Sequence, residues 1–136
     1  MLTIDTNRPD AEIAEAWIAW TASLAPQQAL DRDVNDISRE NGGDWGEQAL
    51  LELVCEEPIR ALEISFLIAR TTADDWLLCN LGAGPIESLL ADDPTLLAPL
   101  AHEAQSSPNV KIALASVWQN AMPEDTWRAI QMIARS

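Results

Sequence analysis

Prolines divide this chain into short segments, and most of them stand where a helix could begin. Proline is tolerated at the first position of an α-helix, because the backbone N–H that it lacks would have no partner there. No segment combines strict alternation of apolar and polar residues with a β-rich composition. The pattern predicts an all-α fold of seven or eight short helices. Apolar residues recur with helical spacing after six of the eight prolines: Pro9, Pro58, Pro85, Pro94, Pro108 and Pro123.

The predicted helices have one apolar face each. In residues 58–70, Ile59, Leu62 and Phe66 share a face that further aliphatic residues widen, so we expect this helix to be the most buried. The length fits a single compact domain over residues 1–136, with an acidic N-terminal helical segment over 1–43 and a helical core over 44–136. The helices would pack in antiparallel pairs, as in a small helical-repeat array.

Side chains that cap helices are expected at several helix starts. Asp44 and Glu47 have the spacing of a capping box, in which each side chain satisfies a backbone N–H of the first turn. Asp74 or Asp75 is expected to cap the helix that runs to about residue 81. Three further candidates precede prolines directly: Gly84, Asp93 and Ser107.

The aromatic residues are six tryptophans and one phenylalanine, with no tyrosine. Two tryptophans, Trp45 and Trp76, lie beside acidic residues in predicted first helical turns. They are expected either in the core or as exposed anchors of a protein interface, where tryptophan is enriched. The other four fall on apolar helix faces and are predicted to be core residues: Trp17, Trp20, Trp118 and Trp127.

No metal or cofactor site is expected. The two cysteines, Cys55 and Cys79, form no CxxC pair, and the single histidine, His102, is distant in sequence. A structural zinc site needs about four such ligands, so the cysteines are interpreted as small core residues. Residues 31–42 open like a calcium-binding EF-hand loop, but its sixth and twelfth positions lack the required glycine and glutamate.

No catalytic motif is recognised. His102 and Glu103 precede two serines, but a triad requires convergence in space, and the Gly-x-Ser-x-Gly nucleophile elbow does not occur. Adjacent carboxylates such as Glu124 and Asp125 point in different directions on a helix and suit capping better than acid–base catalysis. We therefore expect a protein that is not an enzyme.

Negative charge is the most unusual bulk property. The formal net charge is −14 in 136 residues, and residues 1–57 hold 13 acidic residues against three arginines. Direct binding to nucleic acid or to anionic membranes is disfavoured, because both require clustered lysine and arginine. A basic protein partner is favoured, since the field would accelerate association.

The candidate partner-binding residues combine acidic clusters with the two tryptophans beside them. The alternative interpretation is a solvated acidic face that serves only solubility. The residues are Asp31, Asp33, Asp36, Glu40, Asp44, Trp45, Glu47, Asp74, Asp75, Trp76, Asp92 and Asp93.

Three segments resemble a bacterial domain family of unknown function. Residues 81–90, LGAGPIESLL, are similar to the "AAGPLEDLL" core of that family, and residues 114–120 and 122–127 are similar to its closing segments. The similarity covers roughly residues 58–135 and departs at Asp92-Asp93. It implies a compact α-helical fold in bacteria and brings no assigned activity, cofactor or catalytic residue.

The LGAGPIESLL segment also has a physical interpretation of its own. Gly82 could take the left-handed conformation that ends a helix, and Gly84-Pro85 could begin the next one, with Glu87 in its first turn. This predicts a tight corner between two helices; the alternative is a cradle for an anion.

These observations favour an acidic inhibitor, either an immunity protein or an antitoxin that neutralises a basic toxin such as a nuclease. The alternatives are a structural or adaptor domain, including a homodimer, and a nucleic-acid mimic that blocks a DNA-binding or defence protein. The chain start has no basic segment followed by an apolar one, and no apolar stretch approaches the roughly 20 residues of a membrane span. A cytoplasmic location without membrane contact is therefore expected.

Overall fold

The computed structural model describes residues 4–25, 43–120 and 122–136, and every regular element in them is helical. No β-strand occurs in these ranges, so the predicted all-α class is confirmed. Two 3₁₀ turns, Ile4–Asn7 and Pro94–Leu96, and one π-helical turn, Gly82–Ile86, accompany the α-helices. The α-helices are α1 (Asp10–Ser23), α2 (Trp45–Glu56), α3 (Pro58–Thr71), α4 (Asp75–Leu81), α5 (Glu87–Asp92), α6 (Leu97–Ala104), α7 (Pro108–Ala115) and α8 (Glu124–Arg135).

Five of the six prolines mark helix starts as predicted. Pro58 is the first residue of α3 and Pro108 the first of α7, while Pro94 begins a 3₁₀ turn that leads into α6. Pro9 and Pro123 occupy the cap positions before α1 and α8. Each of these places needs no backbone N–H from the proline, which is why the pattern is informative.

The predicted caps form where the contact is local. The Asp74 carboxylate accepts a hydrogen bond from the backbone N–H of Leu77 at 3.1 Å and caps α4. The Asp93 carboxylate accepts from the N–H of Thr95, and the Ser107 hydroxyl caps α7. The capping box at Asp44 is wrong, because the Asp44 side chain makes no cap hydrogen bond.

Two compact units make up the chain, Met1–Ile68 and Ala69–Ser136, and the division falls within α3. In the first unit α1 packs against α2. The approach is close at Gly46, where an added Cβ would lie 2.6 Å from the Trp17 backbone nitrogen. Glycine is therefore required at this position of α2 for the two helices to touch.

Arg60 connects the start of the chain to α3 within the first unit. Its Nε donates to Asp10 Oδ1 at 2.8 Å, and its terminal nitrogens donate to the backbone carbonyls of Thr6 and Arg8 at 2.7 and 2.9 Å. A planar guanidinium can serve three acceptors in one plane, which an ammonium cannot do in this geometry. The 3₁₀ turn at Ile4–Asn7 is thereby held by side-chain contacts as well as by its packing on α2.

In the second unit α7 is the central helix. It packs against α6 and α8, its neighbours in the sequence, and also against α4, which lies farther away in the chain. Its residues Val110, Ala113 and Leu114 are buried. The Asn109 side chain at its start donates to the carbonyls of Ala69 and Thr72, which fixes the beginning of α7 against the end of α3.

Several core predictions need correction. Trp17 and Trp20 are buried as expected, but Trp118 is 70% exposed and Trp127 is half-buried. Ile59 is 58% exposed, because the buried face of α3 carries Ala61, Leu62, Ile64 and Ile68 instead. Cys55 is exposed and Cys79 is half-buried, so the interpretation of both as core residues is wrong.

Candidate functional site

A cavity of about 540 Å³ lies in the second unit and is the candidate site. Three indoles line it: Trp76 from α4, Trp118 from the turn after α7, and Trp127 from α8. The side chains of Asn80 and Gln131 are the amides of its wall. The volume is in the range of about 300–1,000 Å³ that is typical of ligand pockets, which are mostly apolar with a few placed polar groups.

Helix α4 presents Trp76 and Asn80 to the cavity. Its Leu77, Leu78 and Leu81 are buried, so positions 76 and 80, four residues apart, share the opposite face. Trp76 is 37% exposed. The Asn80 Nδ2 donates to the Trp76 carbonyl oxygen at 2.8 Å, which orients the amide along the helix.

Trp118 is exposed because α7 ends before it. Helical spacing would place Trp118 beneath Leu114 on the buried face, but the helix stops at Ala115 and the buried side chain after it is Val117. Asn120 then takes a left-handed backbone conformation with φ 43°. The chain reversal therefore turns the Trp118 indole outward.

Glu87 holds this reversal in place. Its Oε1 accepts a hydrogen bond from the backbone N–H of Trp118 at 2.7 Å, and its Oε2 accepts from Asn120 Nδ2 at 2.6 Å. Hydrogen bonds with an ionised acceptor are stronger than neutral ones. One carboxylate thus fixes both ends of the turn that carries Trp118.

The indole nitrogen of Trp127 is buried without a partner among the described residues. An indole N–H is only a donor, and buried donors are paired in the great majority of native structures. Trp127 is among the residues that line the cavity, but its Nε1 is closed off from solvent, so a ligand in the cavity does not reach this donor.

The Gly82–Ile86 turn places the LGAGPIESLL segment against α7. An added Cβ on Gly82 would lie 1.8 Å from the carbonyl oxygen of Ala113, so only glycine fits. The backbone of Gly82 is right-handed, with φ −67° and ψ −48°, and the predicted left-handed corner is wrong. The π turn accommodates Pro85 within an otherwise continuous helical path, and Gly84 is therefore not a helix cap.

The three segments that were singled out by resemblance meet at this cavity. The first contributes Ala83 to its wall and Glu87 to the support of the turn. The second contributes Trp118, and the third contributes Trp127. Segments separated along the chain therefore converge on one place, which periodicity alone did not indicate.

Four of the sequence-predicted partner-binding residues lie outside the described residues: Asp31, Asp33, Asp36 and Glu40. The others are divided between the two units. Trp76 lines the cavity, and Asp75 precedes it in the first turn of α4. Asp92 is exposed at the end of α5, whereas the carboxylates of Asp74 and Asp93 accept hydrogen bonds as helix caps.

The predicted residues at the start of α2 have internal partners. Glu47 Oε2 accepts a hydrogen bond from the Trp20 indole N–H at 2.7 Å, and Asp44 accepts one from the Gln48 side chain at 3.2 Å. The Arg8 guanidinium lies 4.6 Å from the centre of the Trp45 ring, a cation–π arrangement. Trp118, Trp127, Asn80 and Gln131 were missed as site residues.

Two further findings concern ions and membranes. The described part of the chain contains no group of three or more His, Cys, Asp or Glu side chains that could hold a metal ion. Within the same ranges, no helix combines the length and apolar character needed to cross a bilayer.

The fold and site define an all-α protein with a tryptophan-lined cavity. The chain belongs to a family of unknown function, DUF6869, whose model matches residues 33–136. The match includes every residue of the cavity and begins closer to the N-terminus than the resemblance at about residue 58. No curated protein and no solved structure matches the chain.

Proposed function

We propose that this protein is an acidic binding protein that inhibits a basic protein partner, in the manner of an immunity protein or antitoxin. The observation that carries the proposal is the exposed Trp118, held by Glu87 beside the cavity. Trp118 lies with Trp76 and Trp127 along the same cavity, and tryptophan is enriched among the residues that dominate binding energies.

The charge of the chain supports a basic partner. A net charge of −14 accelerates the encounter with a positively charged protein and disfavours anionic ligands. A nuclease toxin has a basic surface because it must hold phosphates. In this proposal the acidic residues set the association rate, and the tryptophans set the lifetime of the complex.

The test is affinity capture from the native host with three versions of the full chain: wild type, Trp118→Ala and Ile59→Ala. Ile59 is the matched control, because it is a large exposed apolar residue in the other unit. We expect one basic protein that is released by moderate salt, is captured by Ile59→Ala, and is captured several-fold less by Trp118→Ala. The purified partner must also lose its activity when the wild-type chain is added.

The acidic residues at 31–36 are tested on the purified pair. Asp33→Lys with Asp36→Lys should slow association strongly at low salt, because rim charges act mainly on the association rate. An unchanged rate would remove this segment from the proposal.

Other outcomes separate the alternatives. Recovery of only the chain itself, or of a partner insensitive to salt and to Trp118→Ala, would overturn the inhibitor proposal in favour of a structural domain or homodimer. Displacement of the partner by heparin or DNA, without neutralisation of an activity, would favour a nucleic-acid mimic.

A further inference from the structure

Beyond the proposed function, we propose that the cavity binds a small neutral molecule whose aromatic ring carries an amide-type edge, with a hydrogen-bond donor and an acceptor side by side. The ring lies against the indoles of Trp76 and Trp118, and the edge forms hydrogen bonds with the side-chain amides of Asn80 and Gln131. Such binding is a property of the isolated protein and does not depend on a basic partner.

The accessible indoles of the second unit are gathered at the cavity. Among the described residues of this unit, three large apolar side chains are exposed: Trp76, Trp118 and Met132. The two tryptophans line the cavity, and Trp127 lines it as well. Two aromatic rings attract each other in offset-stacked or edge-to-face arrangements, and this attraction adds to the gain from the buried area. The wall therefore favours an aromatic ring as its occupant.

The wall of the cavity is uncharged. Among the described residues, none that lines it carries a carboxylate, a guanidinium, an ammonium or an imidazole, although 22 of the 136 residues of the chain are acidic. An anion would find no positive group there and would be repelled by the net charge of −14. A cation would be attracted by the indole faces, but it would lose water without a carboxylate to replace it. A neutral ligand has neither disadvantage.

Two side-chain amides give the wall its polar groups. The Asn80 Nδ2 donates to the Trp76 carbonyl oxygen at 2.8 Å, which leaves the Asn80 Oδ1 as an acceptor. The half-buried Gln131 side chain has no hydrogen-bond partner among the described residues, so its donor and its acceptor both remain for a ligand. An aliphatic ligand would cover these groups without pairing them, which is unfavourable. A ligand with a donor and an acceptor on one edge, such as a carboxamide, avoids this loss.

Contacts outside the cavity hold its wall in place. The Glu87 carboxylate accepts hydrogen bonds from the Trp118 backbone N–H and the Asn120 side chain at 2.7 and 2.6 Å. Trp76 and Asn80 lie on α4. A wall that is ordered before binding loses less conformational freedom when a ligand arrives. The cavity volume of about 540 Å³ lies in the range of small-molecule sites, so a free ligand of one or two rings fits there.

The experiment is a titration of the full-length protein with four probes of nearly equal size, followed by ¹H–¹⁵N NMR of the indole N–H groups. Benzamide is neutral and aromatic and carries a carboxamide. Benzamidine and benzoate have nearly the same shape with a positive and a negative charge, and cyclohexanecarboxamide keeps the amide without the aromatic ring. Concentrations extend to about 20 mM, because so small a ligand is expected to bind with a Kd in the millimolar range. The Trp76 and Trp118 resonances are assigned by their loss in Trp76→Phe and Trp118→Phe.

We expect benzamide to shift the Trp76 and Trp118 indole resonances saturably. Each of the other probes should bind at least about fivefold more weakly, because it lacks either neutrality or the aromatic ring. Trp118→Ala, followed on the Trp76 resonance, and Gln131→Leu should each weaken benzamide binding about fivefold, through the loss of one ring contact or of the amide pairing. Ile59→Ala, in the other unit, should leave it unchanged.

Three results would overturn this ligand assignment. The first is the absence of a saturable shift with benzamide, and the second is a charged or non-aromatic probe that binds as tightly as benzamide. The third is benzamide binding that is unchanged by both Trp118→Ala and Gln131→Leu, which would place the ligand elsewhere. All of them are measured on the purified protein without a partner, so they are independent of the capture experiment, whose failure would overturn the inhibitor role alone.

Discussion

Glu87 and Trp118, 31 residues apart, are joined by a 2.7 Å hydrogen bond from the Trp118 backbone N–H to the Glu87 carboxylate. The acceptor lies in the first turn of α5 and the donor in the turn after α7. The same carboxylate accepts a hydrogen bond from the Asn120 side chain, so one residue holds the backbone of the turn that carries the exposed indole. A contact that positions a binding side chain can be tested separately from the side chain itself.

Replacing Glu87 should release the Trp118 turn. Glu87→Ala removes both hydrogen bonds and should destabilise the protein by about 1–3 kcal/mol. A hydrogen bond to a charged group contributes about 1.5–3 kcal/mol, and the exposure of these two bonds lowers their contribution. Glu87→Gln keeps an acceptor for the Trp118 N–H and should lose less. Thermal unfolding measures the stability, and acrylamide quenching of tryptophan fluorescence reports the exposed indole. Equal stability of Glu87→Ala and wild type would contradict this role.

The two glycines of the Gly82–Ile86 turn should respond in opposite ways to alanine. Gly82→Ala places a Cβ 1.8 Å from the Ala113 carbonyl oxygen, so α7 must move and the loss should be several kcal/mol, on the order of 3 or more. Gly84→Ala meets no atom within 4 Å and should be neutral or stabilising by up to about 1 kcal/mol. Urea unfolding of the two variants makes the comparison. A tolerated Gly82→Ala would show that the Gly82–Ile86 turn and α7 are not in contact at this point.

Glu47 should act in stability rather than in partner binding. Glu47→Ala leaves the buried Trp20 indole N–H without an acceptor and should cost about 1–3 kcal/mol. Glu63→Ala is the matched control, because it removes the same charge from an exposed position. Both variants lose one negative charge, so the effect of net charge cancels when their free energies of unfolding are compared. A Glu47→Ala variant as stable as Glu63→Ala would show that the Trp20 contact is not needed.

Arg60 should not be replaceable by lysine. Arg60→Lys cannot reach Asp10 and the carbonyls of Thr6 and Arg8 together, so we expect a loss of about 1–2 kcal/mol and faster amide exchange in residues 4–8. Arg128→Lys is the control, since its single ion pair with Glu124 is fully on the surface. Hydrogen exchange read by mass spectrometry measures the protection. Unchanged exchange in residues 4–8 would contradict the role of Arg60 in holding the chain start.

The helices themselves were predictable because their determinants are local. A proline at a helix start, and a carboxylate or hydroxyl two or three residues before the N–H that it caps, act within one turn. Asp74, Asp93 and Ser107 could therefore be recognised without a fold. The helical spacing of apolar residues wrongly predicted a buried Trp118, because this spacing continues past the point where α7 ends. A helix end with no glycine and no proline directly after it leaves little signal in the sequence.

The all-α class, the starts of most helices, the charge and the family could be predicted from the amino acids in order. Only the folded chain showed which acidic side chains are engaged in hydrogen bonds, which tryptophans are exposed, and that three separated segments meet at one cavity. The physical reason is range: helix propensity and capping act over about four residues, whereas the bonds from Trp20 to Glu47 and from Trp118 to Glu87 span 27 and 31 residues. Such pairs form only when packed helices bring the two side chains together.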